Sequence, residues 1–208
     1  MTEDAGGWLV RGEGLEERAR AVVVAASSPA ASAPLTGGDA EIGPPVEAAC
    51  LDLGLRRPLR PPVLLGVDRP LYLIDHASAA GGLAPTGGGL VHGVRYLRAG
   101  EDVSAEALRA ELEDHARVAG VDPADVEERR FLRRMTVTQV MPTPATGGLA
   151  GRPRVETGRP GVFVAGDWVG PQGWLADAAL ASAEAAGTAA AGWATGRAGR
   201  PWTGHHVA

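Results

Sequence analysis

Apolar residues fall in short runs broken by glycine, proline and charge, and only two longer stretches keep helical spacing. Trp8-Leu9-Val10 and the run from Arg20 to Ala26 bracket a charged, turn-like segment from Gly12 to Glu17. This pattern predicts a strand, a turn and a second strand. Three consecutive valines suit a strand buried on both faces. Ser27, Ser28 and Pro29 end it, and Pro34 to Pro45, rich in glycine and proline, reads as a loop. Val46 to Leu55 predicts a strand that the prolines from Pro58 to Pro62 interrupt. Val63 to Val67 and Leu71 to Ile74 predict two short strands around the turn Asp68-Arg69-Pro70. Gly81 to Gly89 reads as a loop, and Leu90 to Leu97 alternates as a strand does.

Helical signals begin at Ser104, which suits an N-cap ahead of a helix to about Val118. Ala107, Leu108, Leu112, His115 and Val118 recur at helical spacing and predict one buried face. Gly120 is a stop signal, and Asp122-Pro123 is a second start signal, predicting a short helix to about Arg130. Phe131 to Val140 then reads as a strand, and Pro142 to Gly151 as a long loop. The last unit has the strand Gly161 to Ala165, a turn from Gly166 to Gly173, and a long helix from Trp174 to about Thr195. Gly196 to Ala208 reads as a frayed tail.

The 208 residues suffice for one large domain or two small ones. Hydrophobic residues at 45% and charged residues at 22% fit an ordinary globular chain. A net charge of −5 argues against a nucleic-acid partner, which needs a basic face. No apolar stretch is long enough to span a bilayer, and Met1 to Arg11, acidic and glycine-rich, is no signal peptide. A cytoplasmic protein is expected. The single cysteine, Cys50, lies in an apolar run and reads as a small buried hydrophobe.

All 20 basic Lys/Arg residues are arginines. The absence of lysine excludes a Schiff-base lysine and a Walker-type phosphate loop. His76, His92 and His115 show no metal-ligand spacing, His205-His206 sits in the tail, and no Gly-x-Ser-x-Gly elbow is present. No metal is expected.

The segment from Gly161 to Ala191 combines a strand, a glycine turn with an acid, and an alanine-rich helix. In open α/β sheets, ligands bind beyond the carboxyl ends of the strands, which is where Gly166 and Asp167 would lie. Glycine lets the backbone approach a ligand, and a carboxylate offers two acceptors to hydroxyl groups. A helix starting near Trp174 would point unpaired N–H groups and a positive dipole end at the same place. Small residues at Ala178, Ala179, Ser182, Ala185 and Ala186 would let it pack tightly. An acid for sugar-like hydroxyls beside a positive helix end suits a flavin, whose N1–C2=O region gains negative charge on reduction.

The run GVFVAGDWVGPQGWLADAALASAEAAG resembles the carboxy-terminal FAD motif of the amine oxidase, phytoene desaturase and protoporphyrinogen oxidase family of flavoproteins. Ala165, Gly166 and Asp167 match its strand end, Gly173 to Ala179 its helix entry, and Ser182 its serine; Ala183 replaces a glycine. Arg20 to Pro29 resembles the strand that returns the family's chain to the FAD domain. The resemblance implies an α/β fold: an incomplete Rossmann-like FAD-binding domain, made of late strands and the final helix, with an α+β substrate domain of mixed sheet. It implies segments at 1–29 (returning strands), 30–153 (substrate domain), 154–196 (FAD motif) and 197–208 (flexible tail). It implies FAD as cofactor, with Ala165, Gly166, Asp167, Gly173, Trp174, Leu175 and Ala176 at the binding site. Asp167 would take the ribityl chain, and the backbone from Gly173 to Ala176 would face the ring. No catalytic residue follows from it.

The chain departs from the family in two respects. The amino-terminal Gly-x-Gly-x-x-Gly fingerprint is absent: Gly12-Glu13-Gly14 begins one, but Glu17 stands at the third glycine. Phosphate binding would then fall to an upstream chain or a homodimer partner. The alternatives are a non-catalytic partner or ligand-binding subunit of a split flavoprotein, and an inactive fragment. The missing lysine and the 4% aromatic content also differ from amine oxidases, which use a lysine near flavin N5 and an aromatic cage. These differences favour a desaturase-like or protoporphyrinogen-oxidase-like protein, where the substrate tends to be large and apolar for a small molecule. Tyr72, His92 and Tyr96 are candidate pocket residues, Trp168 and Trp174 would flank the flavin, and Arg129, Arg130, Arg133 and Arg134 read as a solvated face.

Overall fold

The computed structural model describes residues 1–4, 6–26 and 28–196. Ser27 and the tail residues, His205-His206 among them, lie outside the described residues. The chain divides into two compact units, one of Met1–Pro45 with Thr138–Ala208 and one of Val46–Val137. The second unit is narrower than 30–153, because residues on both flanks of that span fold with the first unit.

In the first unit, β1 (Thr2–Asp4), β2 (Gly7–Gly12) and β3 (Leu15–Ala19) form an antiparallel meander. The partner of the Trp8 strand is therefore the charged segment expected to be a turn, with Trp8 opposite Ala19 and Gly12 opposite Leu15. Charges on an exposed strand keep it solvated without breaking the backbone ladder, so polarity alone misread it. The valine run instead forms β4 (Val22–Val24), which pairs in parallel with β10 (Val162–Val164).

A helix follows each strand of this parallel pair. After β4 comes α1 (Pro29–Thr36), where a loop was expected. Ser28 caps it, its side chain accepting from Ala31 N, with Pro29 in the first turn. The serine–proline pair that looked like a strand terminator is also a helix start. After β10 comes α3 (Leu175–Ala194).

Alternation along β10 assigns its two faces. Val162 joins Trp8 and Val24, with Leu35 of α1 against them, and Val164 joins Val140, Trp168 and Val169. Phe163 and Ala165 pack on the other face against Ala186, Ala189, Ala190 and Trp193 of α3. The buried residues of α3 are Ala178, Ser182 and Ala186, spaced by four, so a stripe of small side chains brings the helix axis close to the strands.

The second unit is one five-stranded sheet of β5 (Val46–Leu55), β6 (Val63–Leu65), β7 (Leu71–Asp75), β8 (Gly89–Leu97) and β9 (Val126–Thr138), in the order β6-β7-β8-β5-β9. The β6–β7, β7–β8 and β8–β5 pairings are antiparallel. Gly54 lies against Glu128 and Glu47 against Arg134, so β5 and β9 also run in opposite directions. The sheet is antiparallel throughout, not mixed. Between β6 and β7 the connection is of hairpin length and cannot supply the long crossover that parallel neighbours need.

One face of this sheet carries Leu51, Leu53, Leu55, Leu71, Leu73 and Val91. It packs on α2 (Ala105–Val118) through Leu108, Leu112 and Ala116. Ser104 caps α2 as expected, accepting from Ala107 N. Val118 is 76% exposed, so the buried stripe runs through Ala116 instead. Asp122-Pro123 starts only a single 3₁₀ turn, Pro123–Asp125, and β9 begins at Val126. The helix expected to reach Arg130 is the first half of a 13-residue edge strand. Its charges stay solvated or ion-paired: Arg129 with Glu113, Arg133 with Asp102 and Arg134 with Glu47.

Candidate functional site

β10 ends at Val164, and Ala165 continues it, its N–H donating to Val24 O at 3.0 Å. Ala165 is buried at this junction, and Gly166 and Asp167 follow at the carboxyl end of the parallel pair. Ser182 of α3 fastens the strand end. Its hydroxyl accepts from Gly166 N at 3.0 Å and lies 2.9 Å from Gly166 O and 3.0 Å from Ala179 O. The serine of the motif thus locks helix to strand.

Gly166 is needed for a different reason from the one expected. A Cβ there would lie 2.7 Å from Trp168 Nε1, so the close approach that glycine allows is made by the Trp168 indole. Trp168 itself is a core residue, packed with Val140, Val164 and Val169. Gly173 has φ +70°, and a Cβ would come within 2.9 Å of Asp177 and Ala178, so only glycine fits the tight entry to α3. Leu175, the first helical residue, also has a left-handed backbone, at φ 50°. For leucine this conformation is strained, at a cost of about 1–2 kcal/mol. Trp174 and Leu175 are half-exposed at 51% and 47%, and Ala176 is exposed, so this turn presents side chains to solvent.

Asp167 is half-buried and held from one side. Its Oδ2 accepts from Thr138 Oγ1 at 2.6 Å and from Gln139 N at 3.0 Å. Oδ1 has no hydrogen-bond partner among the described residues. The carboxylate is therefore oriented and keeps one free acceptor atom.

No sequence pattern marks Arg152, which joins this group from the loop before β10. It is 93% buried, with relative exposure of 7%. Nη1 donates to Gly173 O at 3.0 Å, and the guanidinium lies 5.5 Å from the centre of the Trp174 ring. Nε and Nη2 are buried with no hydrogen-bond partner, as is Trp168 Nε1. Burial pulls the Arg152 guanidinium below its ordinary value, and the Asp167 charge pulls it back up. Arginine nevertheless stays protonated in proteins, so a permanent cation sits at the entry to α3. Buried guanidinium donors without partners are costly.

In the second unit the structure brings Tyr72, His92 and Tyr96 onto the sheet face opposite α2. The Tyr72 ring lies 6.3 Å from His92 and 6.1 Å from Tyr96, and His76 stands 5.8 Å from His92. Asp52 pairs with His92 Nδ1, and Cys50, buried beneath, packs with Ala48 and Val94. Burial raises the Tyr72 hydroxyl, helped by Tyr96 and Cys50; burial and then Asp52 raise the Cys50 thiol. Cys50 is a poor nucleophile in this setting. Among the described residues no group of three His, Cys, Asp or Glu side chains is placed to hold a metal ion, and no helix is long and apolar enough to cross a membrane.

No family model and no curated protein matches the chain. Solved structures do. The crystal structure of an oxidoreductase from Methanosarcina mazei superposes with a TM-score of 0.60 at 20% identity, over 85% of this chain and 44% of that one. A protoporphyrinogen oxidase candidate from Exiguobacterium sp. 255-15 gives 0.59 at 14% identity, over 90% and 44%. At these identities the likeness is one of fold: the chain has the fold of part of these proteins and spans about 44% of their length.

Proposed function

We propose that the chain forms the flavin-ring side of a FAD-dependent oxidoreductase site, of the kind that the family resemblance implies. The observation that carries this reading is Asp167. It stands at the carboxyl end of a parallel strand and is oriented through Oδ2 by Thr138 and Gln139. Oδ1 is left to accept from a ribityl hydroxyl. The parallel β4–β10 pair with its two helices would be the late part of a Rossmann-like domain.

A bound flavin would accept a hydride from a C–H or C–N centre of the substrate. The chain's own part would be binding and orientation. Asp167 would fix the ribityl chain, the turn from Gly173 to Ala176 would face the ring, and the start of α3 would hold its N–H groups towards the ring's electron-rich edge. Ala165 and Gly166 would shape the strand end behind it. The tyrosine and histidine face of the second unit is the surface we assign to the substrate, a small and largely apolar molecule. A partner chain carrying a phosphate-binding loop, or a second copy holding the phosphates with other groups, would complete the site.

FAD binding by the purified chain tests this reading, through flavin absorbance retained after desalting and a rise in Tm on adding FAD. Retained flavin and a rise in Tm that Asp167→Ala abolishes are expected. A chain that neither retains flavin nor shifts would overturn it.

A further inference from the structure

We propose that Asp52 and His92 form a proton-accepting dyad for a planar ligand bearing a phenolic or enolic hydroxyl, an inference that rests on the assignment of this sheet face to the substrate. The strands dictate the pair. Asp52 of β5 and His92 of β8 stand directly opposite in the antiparallel register, so their side chains leave the same face. Asp52 takes His92 Nδ1, and a carboxylate there keeps the ring proton on Nδ1. Nε2 is left with its lone pair. It has no hydrogen-bond partner among the described residues and is open to solvent, in a side chain 23% exposed. Asp52 makes no salt bridge with an arginine among the described residues, so its charge stays with the imidazole.

The surroundings select the ligand. Tyr72 is tilted by 59° to His92 and by 43° to Tyr96, and His76 by 44° to His92. None of these pairs is stacked face to face, so ring surface remains for a flat guest. Leu132, Met135 and Val137 extend the apolar surround. The titratable and charged groups facing the dyad are Cys50 on β5, Tyr72 on β7, His76 in the turn after it and Tyr96 on β8. β9 adds Glu128, which lies against Gly54, and by alternation Arg130. An imidazole lone pair takes a proton best from a group of similar acidity. Among uncharged ligand groups a phenolic or enolic hydroxyl comes near, whereas amine N–H groups and alkyl alcohols are far weaker acids. In the transfer the O–H bond breaks, the proton bonds to Nε2, the electron pair stays on the ligand oxygen, and Asp52 balances the imidazolium. The anion so formed gives electrons to an oxidant more readily than the neutral ligand does.

The test uses the purified chain without flavin and two probes of one shape, 4-nitrophenol and 4-nitroanisole, the second lacking the O–H group. In equilibrium dialysis the wild type should bind 4-nitrophenol about tenfold more tightly, the worth of one hydrogen bond. His92→Phe should abolish that preference and leave 4-nitroanisole binding unchanged. At a pH where the free probe is mostly the phenol, 4-nitrophenol bound to the wild type should show the phenolate absorbance band. Asp52→Asn still accepts from Nδ1 but lacks the charge, so it should keep the preference and lose most of the band. Equal affinity of the wild type for the two probes overturns the inference, whether or not the variants fold. Bound 4-nitrophenol with no phenolate band overturns the proton transfer. A chain that retains FAD but shows no preference keeps the flavin reading and loses the dyad. One that prefers 4-nitrophenol but retains no FAD keeps the dyad and loses the flavin reading.

Discussion

Thr138 donates its hydroxyl to Asp167 Oδ2 at 2.6 Å, tying the end of β9 to the turn after β10 across 29 positions of sequence. The same oxygen accepts from Gln139 N, so the carboxylate organises the chain before any ligand arrives. Hydrogen bonds to a charged group contribute about 1.5–3 kcal/mol. Asp167→Ala should therefore lower the unfolding free energy by about 2 kcal/mol, and Thr138→Val by about 1 kcal/mol, since Gln139 N stays paired in the second variant. Urea unfolding with unchanged m reads both. The double variant should cost less than the sum, and strict additivity would show that the two side chains do not act together.

Ser182 makes a sharper case because it is buried at 3% and serves Gly166 at both N–H and C=O. Ser182→Ala leaves the Gly166 N–H without its acceptor inside the helix–strand contact. The expected loss is about 1–3 kcal/mol, the cost of an unpaired buried donor, with helix content at low temperature preserved. Ser182→Gly should lose at least as much, because it removes the hydroxyl and adds a helix penalty of about 1 kcal/mol. Denaturant titration followed by far-UV circular dichroism distinguishes these. A Ser182→Ala protein as stable as the wild type would mean water replaces the hydroxyl.

The elements that could be read in the sequence share one property: local pattern and tertiary environment agree there. β5 appears over Val46–Leu55 as expected because residues on both of its faces are largely buried, and α2 begins at Ser104 because capping is a local event. The strand–turn–helix around Asp167 was legible for the same reason. The failures lie where a neighbour decides. Leu15–Ala19 is a strand only because β2 pairs with it, and Val126–Arg130 is a strand only because β5 does. α1 was hidden by Pro34, which sits inside the helix and usually ends one. Arg152 could not be found at all. In sequence it is one arginine among many in a glycine-rich loop, and only folding shows that Gly173 and Trp174 meet it.

Asp75 shows how a buried charge can be structural. It is fully buried, and its carboxylate accepts from Leu59 N at 2.9 Å and from Ala77 N and Leu90 N at 3.0 Å. Three backbone segments are thereby joined at the end of β7. Asp75→Ala would strand three donors, and the cost should reach about 3 kcal/mol or more. Asp75→Asn keeps the shape but turns an N–H group towards one of those donors, so it should fall between the wild type and alanine. Thermal unfolding of the two variants gives the order. A wild-type Tm for Asp75→Asn would show that charge contributes nothing at this knot.

Glu101 predicts how stability changes in acid. Arg95 donates to both of its carboxylate oxygens at 2.6 Å, and Arg98 N donates at 2.8 Å. The Arg95 hydrogen bonds, followed by the Arg98 backbone bond, hold the Glu101 carboxyl at about 2 instead of 4.5. The unfolded chain binds this proton more readily than the folded one, so the contribution is complete above pH 4.5 and is lost as pH falls towards about 2. Glu101→Gln removes the titration. At pH 6 the variant should melt below the wild type, because Arg95, only 13% exposed in its side chain, loses its charged main partner and keeps a 2.8 Å bond to Tyr96 O and a 3.4 Å contact with Glu111. As pH is lowered from 4.5 the two melting temperatures should converge, with the wild type moving towards the variant. A gap in Tm that stays constant down to pH 2.5 would mean that the ion pair does not set the acid limb, and that the variant loses stability through packing alone.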